Sequence, residues 1–316
     1  MILTGTIWAV IKLLAGFVLL FFGGDWLVDG GVALARRYRI SSLVIGMTIV
    51  AFGTSAPELL VSMISAIKGS AGIAMGNVLG SNIANIGLIL GLTALICPIE
   101  TDNRKVIGHG TVMIAASLLL LVFALNNGIS RIEGLTLFAC LILFTTFSIR
   151  KGRSEETQND VQEGKSMTVL AAVGLIALSC VMLAFGADIL VDGATTIASA
   201  MGVSDKVIGL TIVALGTSLP ELAASVAAAV KKQMDISIGN IFGSNIFNIL
   251  CVLGVSTSIK PISLEFPDYM SDFIWMMGFS VFIIIFTTAR KKKGRLGKTA
   301  GILFLLAYAY YAWSLF

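Results

Sequence analysis

The hexapeptide Gly53-Thr54-Ser55-Ala56-Pro57-Glu58 lies in the middle of an apolar run that covers residues 42–67. It returns as Gly216-Thr217-Ser218-Leu219-Pro220-Glu221 inside a second apolar run, residues 207–230. Each copy places a glutamate halfway along a segment that is long enough to cross a bilayer, with a proline just before it. An ionisable side chain at that depth is costly unless it has a partner, so Glu58 and Glu221 are candidate functional residues.

The composition is that of a membrane protein. Of the 316 residues, 57% are hydrophobic and 13% are charged, and the mean hydropathy is +0.95. Charged residues make up about 25% of an ordinary soluble domain. Apolar runs of about 20 residues, the length that crosses a bilayer as a helix, recur along the whole chain. The sequence therefore predicts an all-α integral membrane protein.

Ten transmembrane helices are predicted from these runs. They cover residues 7–35, 42–67, 73–97, 106–125, 132–149, 167–198, 207–230, 236–257, 272–289 and 299–316. The longest polar stretch, residues 151–166, is predicted to be a cytoplasmic linker between a first five-helix repeat, residues 1–150, and a second, residues 167–316.

The two halves are related by a shift of 163 residues, which takes Glu58 to Glu221 and Asn85 to Asn248. Between residues 41–58 and 204–221, 13 of 18 positions are identical. Because each half has five spans, an odd number, the second half must enter the membrane from the opposite side. Inverted repeats of this kind are used by many secondary transporters to build a central site.

The positive residues predict the orientation. Seventeen of the Lys and Arg residues fall in loops on one side of the predicted membrane, and five lie on the side that holds the amino terminus. Since loops rich in Lys and Arg face the cytoplasm, both termini are expected to be extracellular.

The prolines are expected to open the two helices that carry the hexapeptides. Pro57 has no N–H for the carbonyl of Gly53 and its ring crowds that carbonyl, so the carbonyls of residues 51–53 are expected to line a cavity. Thr54 and Glu58 are four residues apart and share a face with them. The second copy offers the equivalent groups at Ala214, Gly216, Thr217, Ser218 and Glu221.

A polar stripe follows each hexapeptide in the next span. Asn77, Ser81 and Asn85 recur every four residues on one helical face, and Asn240, Ser244 and Asn248 repeat the pattern. Carboxylate, amide, hydroxyl and carbonyl oxygens are the hard ligands that suit Ca²⁺ and also Na⁺. The two glutamates supply a charge of −2, which one Ca²⁺ or two Na⁺ would neutralise. The four cysteines and the single histidine form no spacing typical of a thiolate or imidazole metal site.

The duplicated G-T-S-x-P-E and G-N-x₂-G-S-N-I-x-N segments resemble the repeats of the calcium/cation antiporter superfamily, especially its prokaryotic sodium/calcium exchangers. The resemblance covers nearly the whole chain. It implies ten helices in two inverted repeats, with four ion sites between the second, third, seventh and eighth helices and an exchange of usually three Na⁺ for one Ca²⁺. In such proteins the first and sixth helices slide across the core.

The resemblance also implies ligand roles for matching positions. Glu58 and Glu221 would bind calcium, and Asn85 and Asn248 would lie at the middle site. The remaining ligands implied by the motif are the carbonyls of Ala51, Ala214, Thr54 and Thr217, the hydroxyls or carbonyls of Ser55 and Ser218, and Ser81 and Ser244 as outlying sodium ligands. Some members carry aspartate at the position of Asn248, including potassium-dependent exchangers, so asparagine argues against a potassium requirement.

The resulting prediction is an electrogenic Na⁺/Ca²⁺ antiporter that works by alternating access in a plasma membrane. It is not an enzyme, and the sequence indicates no cofactor, nucleic acid or protein partner beyond the transported ions and the lipid bilayer. H⁺/Ca²⁺ exchange is the nearest alternative, and a cation channel built from the same ligands is an alternative of another class.

Overall fold

The computed structural model describes residues 2–156, 167–203, 214–288 and 294–315. Helices account for nearly all of this part of the chain. They are α1 Ile2–Tyr38, α2 Ser42–Thr54, α3 Ala56–Lys68, α4 Ala71–Ile96, α5 Asn103–Ala124, α6 Arg131–Glu156, α7 Val169–Ala200, α8 Ala214–Gly216, α9 Leu219–Val230, α10 Met234–Ile259, α11 Phe266–Thr288 and α12 Lys298–Ser314.

Within the described residues, seven helices are long and apolar enough to cross a membrane. They are α1, α4, α5, α6, α7, α10 and α11. The pair α2 and α3 makes an eighth span that is bent by 49° at Ser55. The chain is therefore a multi-pass helical membrane protein, as its hydropathy predicts. Residues 207–213 of the predicted span 207–230 lie outside the described part of the chain.

Both hexapeptides break their helix at the serine. Ser55 has φ −84° and ψ 8°, and Ser218 has φ −88° and ψ 0°, so neither residue continues the helical path. Pro57 and Pro220 then stand in the first turn of α3 and α9. Proline is tolerated there because the first N–H groups of a helix have no acceptor within it. The proline therefore starts a new helix on the far side of each break.

Within the part of the chain that the structure describes, three spans contain a short π-helical segment that the sequence did not predict. These segments are Gly46–Val50 in α2, Asn85–Leu90 in α4 and Asn248–Leu253 in α10. Two of them begin at an asparagine of the predicted ligand set. A π-helical turn widens the helix and is frequent at functional sites, and no side-chain periodicity marks it in the sequence.

The core is built around α4 and α10. In an apolar 18-residue stretch of each helix, 94% of the residues of α10 and 72% of those of α4 are buried, against 28% for α1 and for α7. The long helices α1 and α7 pack along each other at the periphery, where large apolar side chains such as Phe17, Phe21 and Leu170 are exposed. An apolar surface of this extent is the surface that a helical membrane protein presents to lipid.

Two small antiparallel strand pairs join the ends of the helices. Strand β1, Ile99–Thr101, pairs with β4, Gly294–Leu296, and β2, Gly128–Ile129, pairs with β3, Ile262–Ser263. The all-α prediction missed them because strands of two or three residues are too short to show an alternating pattern. Each pair ties a loop of the first half to a loop of the second.

The predicted linker begins inside a helix. Helix α6 continues to Glu156, six residues beyond the predicted boundary at residue 150, and residues 157–166 of the predicted linker lie outside the described part of the chain. A helix that leaves the membrane can continue into water because its backbone hydrogen bonds are made within the helix. Hydropathy marks where the apolar part ends, and the helix itself runs further.

Candidate ion-binding site

The two glutamates of the hexapeptides lie at the centre of the molecule. Glu58 is in the first turn of α3 and Glu221 is in the first turn of α9, and each is 1% exposed. The N–H groups at a helix N-terminus favour negative charge, which partly offsets the cost of burying a carboxylate there. The helix breaks therefore place two buried carboxylates where the local backbone stabilises them.

Residues Thr54 and Ser55, at the helix break of the first half, contact the second half directly. The Ser55 hydroxyl donates a hydrogen bond of 2.9 Å to Oε1 of Glu221. The Thr54 hydroxyl lies 3.2 Å from Oδ1 of Asn240 and 3.5 Å from Oγ of Ser244, which are both on α10. These partners are 166 to 190 positions apart in the sequence. The predicted ligands of both halves therefore converge on one buried region.

An asparagine in each half holds the broken span against the following helix. Asn77 donates through Nδ2 to the Ser62 hydroxyl at 2.9 Å and to the Glu58 carbonyl at 3.3 Å. The same two bonds recur 163 residues later, from Asn240 to Ser225 at 3.0 Å and to the Glu221 carbonyl at 3.3 Å. Their spacing predicts the polar stripe but gives no sign of this bracing role.

Several buried polar atoms in this region have no hydrogen-bond partner among the described residues. They are Oε1 and Oε2 of Glu58, Oε2 of Glu221, Oγ of Ser218, Oδ1 of Asn248, and both Oδ1 and Nδ2 of Asn85. An unsatisfied buried polar group costs about 1–3 kcal/mol, and more if it is charged. Six of these seven atoms are oxygens with lone pairs, so the region offers what a hard cation would bind.

The chain matches known proteins over nearly its full length. The sequence model of the sodium/calcium exchanger protein family matches residues 8–150 and 171–316. The chain belongs to the sodium/calcium exchanger family. The exchanger is 38% identical to a protein of Alkalimonas amylolytica that is named "Putative antiporter CaxA", over 98% of both chains. It is 32% identical to the sodium/calcium exchanger MaX1 of Methanosarcina acetivorans, over 87% of this chain and 89% of that one.

Solved structures of the sodium-calcium exchanger NCX_Mj share the fold of this exchanger. With NCX_Mj soaked with 10 mM Na⁺ and zero Ca²⁺, the TM-score is 0.83 and the identity 34%, over 98% of this chain and 100% of that one. A second NCX_Mj structure, soaked with Na⁺ and Sr²⁺, gives a TM-score of 0.81. The exchanger is therefore a membrane transporter of the cation/Ca²⁺ antiporter class and not an enzyme.

Three other predicted ligands, Thr217, Ser81 and Ala214, have different surroundings in the exchanger. Thr217 is half-buried in the turn that separates α8 from α9. Ser81 is buried on α4, and hydrogen bonds of the described residues link its side chain to none of the other predicted ligands. Ala214 begins α8, and its side chain lies outside the described atoms.

The prediction that Ala51 frees its carbonyl is wrong for this structure. The Ala51 carbonyl accepts the backbone N–H of Ser55 at 2.9 Å and the hydroxyl of Thr54 at 3.2 Å. The helix breaks after Ser55, so the hydrogen bond that spans residues 51 to 55 is retained. The carbonyl that lacks a helical donor is that of Gly53, because Pro57 has no N–H.

Three aspartates of the long helices form salt bridges with lysines of the other half. Lys231, at the end of α9, lies 2.7 Å from Oδ1 of Asp25 and 2.6 Å from Oδ1 of Asp29 on α1. Asp192 on α7 pairs with Lys12. These three aspartates therefore pack at contacts between the two halves.

The halves of the exchanger are not in the same local arrangement. Ser55 is bonded to Glu221, whereas their counterparts Ser218 and Glu58 have unpaired oxygens among the described residues. The two hexapeptides differ only at Ala56 and Leu219, so tertiary packing contributes to this difference. Among the described residues, the Ser55 hydroxyl bonds across the site and the Ser218 hydroxyl does not.

Replacing Thr54 by valine should lower exchange by about fivefold, because it removes a hydroxyl that bridges the halves and such a bond contributes about 1 kcal/mol. Thr48→Val is the matched control, since the Thr48 hydroxyl donates only to the Val44 carbonyl of its own helix at 2.6 Å. We expect the control to stay within twofold of wild type in a vesicle flux assay. Equal losses in both variants would contradict the bridging role of Thr54.

Proposed function

We propose that the exchanger is an electrogenic Na⁺/Ca²⁺ antiporter whose ions bind between Glu58 and Glu221. The observation that carries this proposal is the set of unpaired oxygens around two fully buried carboxylates. A buried carboxylate without a partner is unfavourable unless a cation or proton neutralises it. A cation or proton therefore has to occupy the site in each conformation in which the two carboxylates are buried.

The charge of the site makes Na⁺ and Ca²⁺ competitors. Two carboxylates carry −2, which one Ca²⁺ or two Na⁺ balance, and both loads together would leave a buried excess of positive charge. Competition of this kind is what antiport requires, because one ion must leave before the other is carried back. Sodium as the counter-ion is further supported by the likeness to exchangers named for sodium and calcium.

We assign the ligands to both halves of the site. Glu58 and Glu221 bind Ca²⁺ through their carboxylates, and Asn85 and Asn248 contribute amide oxygens at the middle site. The other ligands are the backbone carbonyls of Thr54, Thr217, Ala51 and Ala214, the oxygens of Ser55 and Ser218, and Ser81 and Ser244 at outlying sodium positions. Ala51 can join this set only when the Thr54 hydroxyl turns away from its carbonyl.

We infer that ten spans form two inverted five-helix repeats around this site. The contacts of Asn77 with Ser62 and of Asn240 with Ser225 recur at the 163-residue register, which supports two copies of one unit. The strand pairs support the inversion, because each joins loops that an odd number of spans per repeat brings to the same side.

We infer that this multi-pass protein lies in a plasma membrane with both termini outside. The basis is the excess of Lys and Arg in one set of loops. Arg295 on β4 pairs with Glu100 on β1, and Lys105 pairs with Asp235, so loops assigned to the cytoplasmic side contact one another. The access of the central site would then alternate between the two sides of the membrane.

The test is calcium uptake into proteoliposomes with the ion gradients varied one at a time. An outward Na⁺ gradient should drive ⁴⁵Ca²⁺ uptake against a calcium gradient, whereas K⁺ or H⁺ gradients alone should not. The resemblance implies three Na⁺ for one Ca²⁺, which is one Na⁺ more than the two carboxylates balance and moves one net positive charge out per cycle. An inside-positive potential should therefore speed uptake, whereas uptake that ignores the potential would indicate two Na⁺ for one Ca²⁺.

Two outcomes would contradict the proposal in different ways. Uptake driven by a pH gradient without sodium would make the protein an H⁺/Ca²⁺ exchanger. Flux that runs only down the calcium gradient would indicate a channel.

A further inference from the structure

Asn82 is a buried residue of α4 that none of the ligand assignments uses. It is 0% exposed and points toward α10 of the other half. Its Nδ2 donates to the backbone carbonyl of Asn245 at 3.3 Å and lies 3.6 Å from Sδ of Met276. Its Oδ1 accepts a hydrogen bond of 3.1 Å from Nδ2 of Asn248. Both ends of the amide are therefore engaged, and one of them by a residue of the ion site.

The direction of these bonds follows from the backbone. A carbonyl oxygen can only accept, so the amide nitrogen of Asn82 must face the Asn245 carbonyl. The oxygen of Asn82 must then face Asn248, and an oxygen can accept only from the nitrogen of that amide. The remaining atom of Asn248, Oδ1, is buried and has no hydrogen-bond partner among the described residues. The Asn245 carbonyl thus sets the orientation of the Asn82 amide, which in turn sets that of the Asn248 amide.

The equivalent contact is absent from the other half of the site. Asn245 is the counterpart of Asn82, but its Nδ2 donates to the Ile241 carbonyl of its own helix at 2.7 Å. Asn85, the counterpart of Asn248, has both amide atoms unpaired among the described residues. Of the two asparagines in the proposed ion site, only Asn248 is held by a side chain of the other half.

We propose that Asn82 is a positioning residue that holds the Asn248 amide with its oxygen toward the transported cation. This inference rests on the proposed function, because it assumes that Asn248 is a cation ligand. A free amide could present its NH₂ group, which repels a cation, and would lose binding energy when it is forced to turn. Asn82 removes that alternative by taking up the NH₂ group. The other asparagine, Asn85, has no such partner among the described residues.

The test is a double-mutant cycle on calcium exchange in proteoliposomes. Asn82→Leu keeps the size of the side chain but offers no acceptor to Asn248. We expect the KM for Ca²⁺ to rise about fivefold with the maximal rate within twofold of wild type, since an amide hydrogen bond contributes about 1 kcal/mol. In an Asn248→Ala background the same substitution should change the KM by less than twofold, because the group it positions is gone.

Asn245→Leu is the matched control, since its side chain bonds only within α10. It should raise the KM less than Asn82→Leu does. Equal effects of the two leucine variants, or an Asn82→Leu effect that persists in the Asn248→Ala background, would overturn the proposal. Asn82→Ala removes the same acceptor and replaces Asn82→Leu in the cycle if the leucine variant does not fold. A wild-type protein that carries no calcium would overturn the proposed function and this inference together.

Discussion

Replacing either Glu58 or Glu221 by glutamine should reduce Na⁺-driven Ca²⁺ uptake to below about 1% of the wild-type rate. Two unit charges 4 Å apart interact by about 4 kcal/mol at the effective dielectric constant of a protein, and a divalent ion doubles this to about 8 kcal/mol. The neutral side chain is easier to bury, which offsets part of the loss. A net loss of about 3 kcal/mol already exceeds a hundredfold in affinity.

The matched control for these variants is Glu265→Gln, which neutralises an exposed glutamate in the loop before α11. It should leave uptake unchanged, because exposed charges contribute little at a distance through salt solution. Both site variants are close in size to glutamate and should fold, which size-exclusion chromatography of the detergent-solubilised protein would show. Wild-type flux in either glutamine variant would remove that residue from the ion site.

Replacing Gly243 by alanine should destabilise the exchanger by about 3 kcal/mol and reduce exchange more than tenfold. A Cβ at this position of α10 would lie 2.6 Å from Cβ of Ala51 and 2.6 Å from both Cα and the carbonyl oxygen of Met47 on α2. Carbon atoms normally approach to about 3.5–4.0 Å, so α2 would have to move by about 1 Å. That shift would also displace Thr54 from Asn240.

Gly174→Ala is the matched control for the Gly243 variant, because Gly174 is an exposed glycine in the interior of helix α7. A Cβ at Gly174 meets no described atom within 4 Å. Alanine also favours the helix by up to about 1 kcal/mol over glycine. The melting temperature in detergent should therefore fall for Gly243→Ala and hold or rise for Gly174→Ala. Similar melting temperatures for the two variants would contradict close packing of α10 on α2 as the cause.

The sequence predicted the parts of the site that depend on neighbouring residues. The helix breaks at Ser55 and Ser218 lie where the two prolines predicted them, because a proline acts on the helical turn directly before it. The burial of Glu58 and Glu221 followed from the apolar runs on both sides of them. The Ala51 carbonyl was expected to leave the helix and does not, because the bond it makes with Ser55 depends on which side of the serine the helix breaks.

The contacts between the halves could not be predicted in the same way. Both halves carry the same polar stripe and hexapeptides that differ only at Ala56 and Leu219, so the sequence gives no evident signal that bonds Ser55 to Glu221 and leaves Ser218 unpaired among the described residues. The role of Asn82 was missed for the same reason. Its partner Asn248 is 166 residues away, and the bond forms only because α4 and α10 cross at the core.

By itself, the sequence determined that this protein spans a membrane, that two equivalent segments break inside it, and that each carries a buried glutamate. These properties are set by local chemistry, namely the transfer of apolar side chains into lipid and the missing N–H of proline, which act within one or two helical turns. Only the tertiary structure decided which oxygens share hydrogen bonds and which are left for an ion. Those pairings depend on how helices far apart in the chain pack, and two nearly identical halves become different only when they are packed against each other.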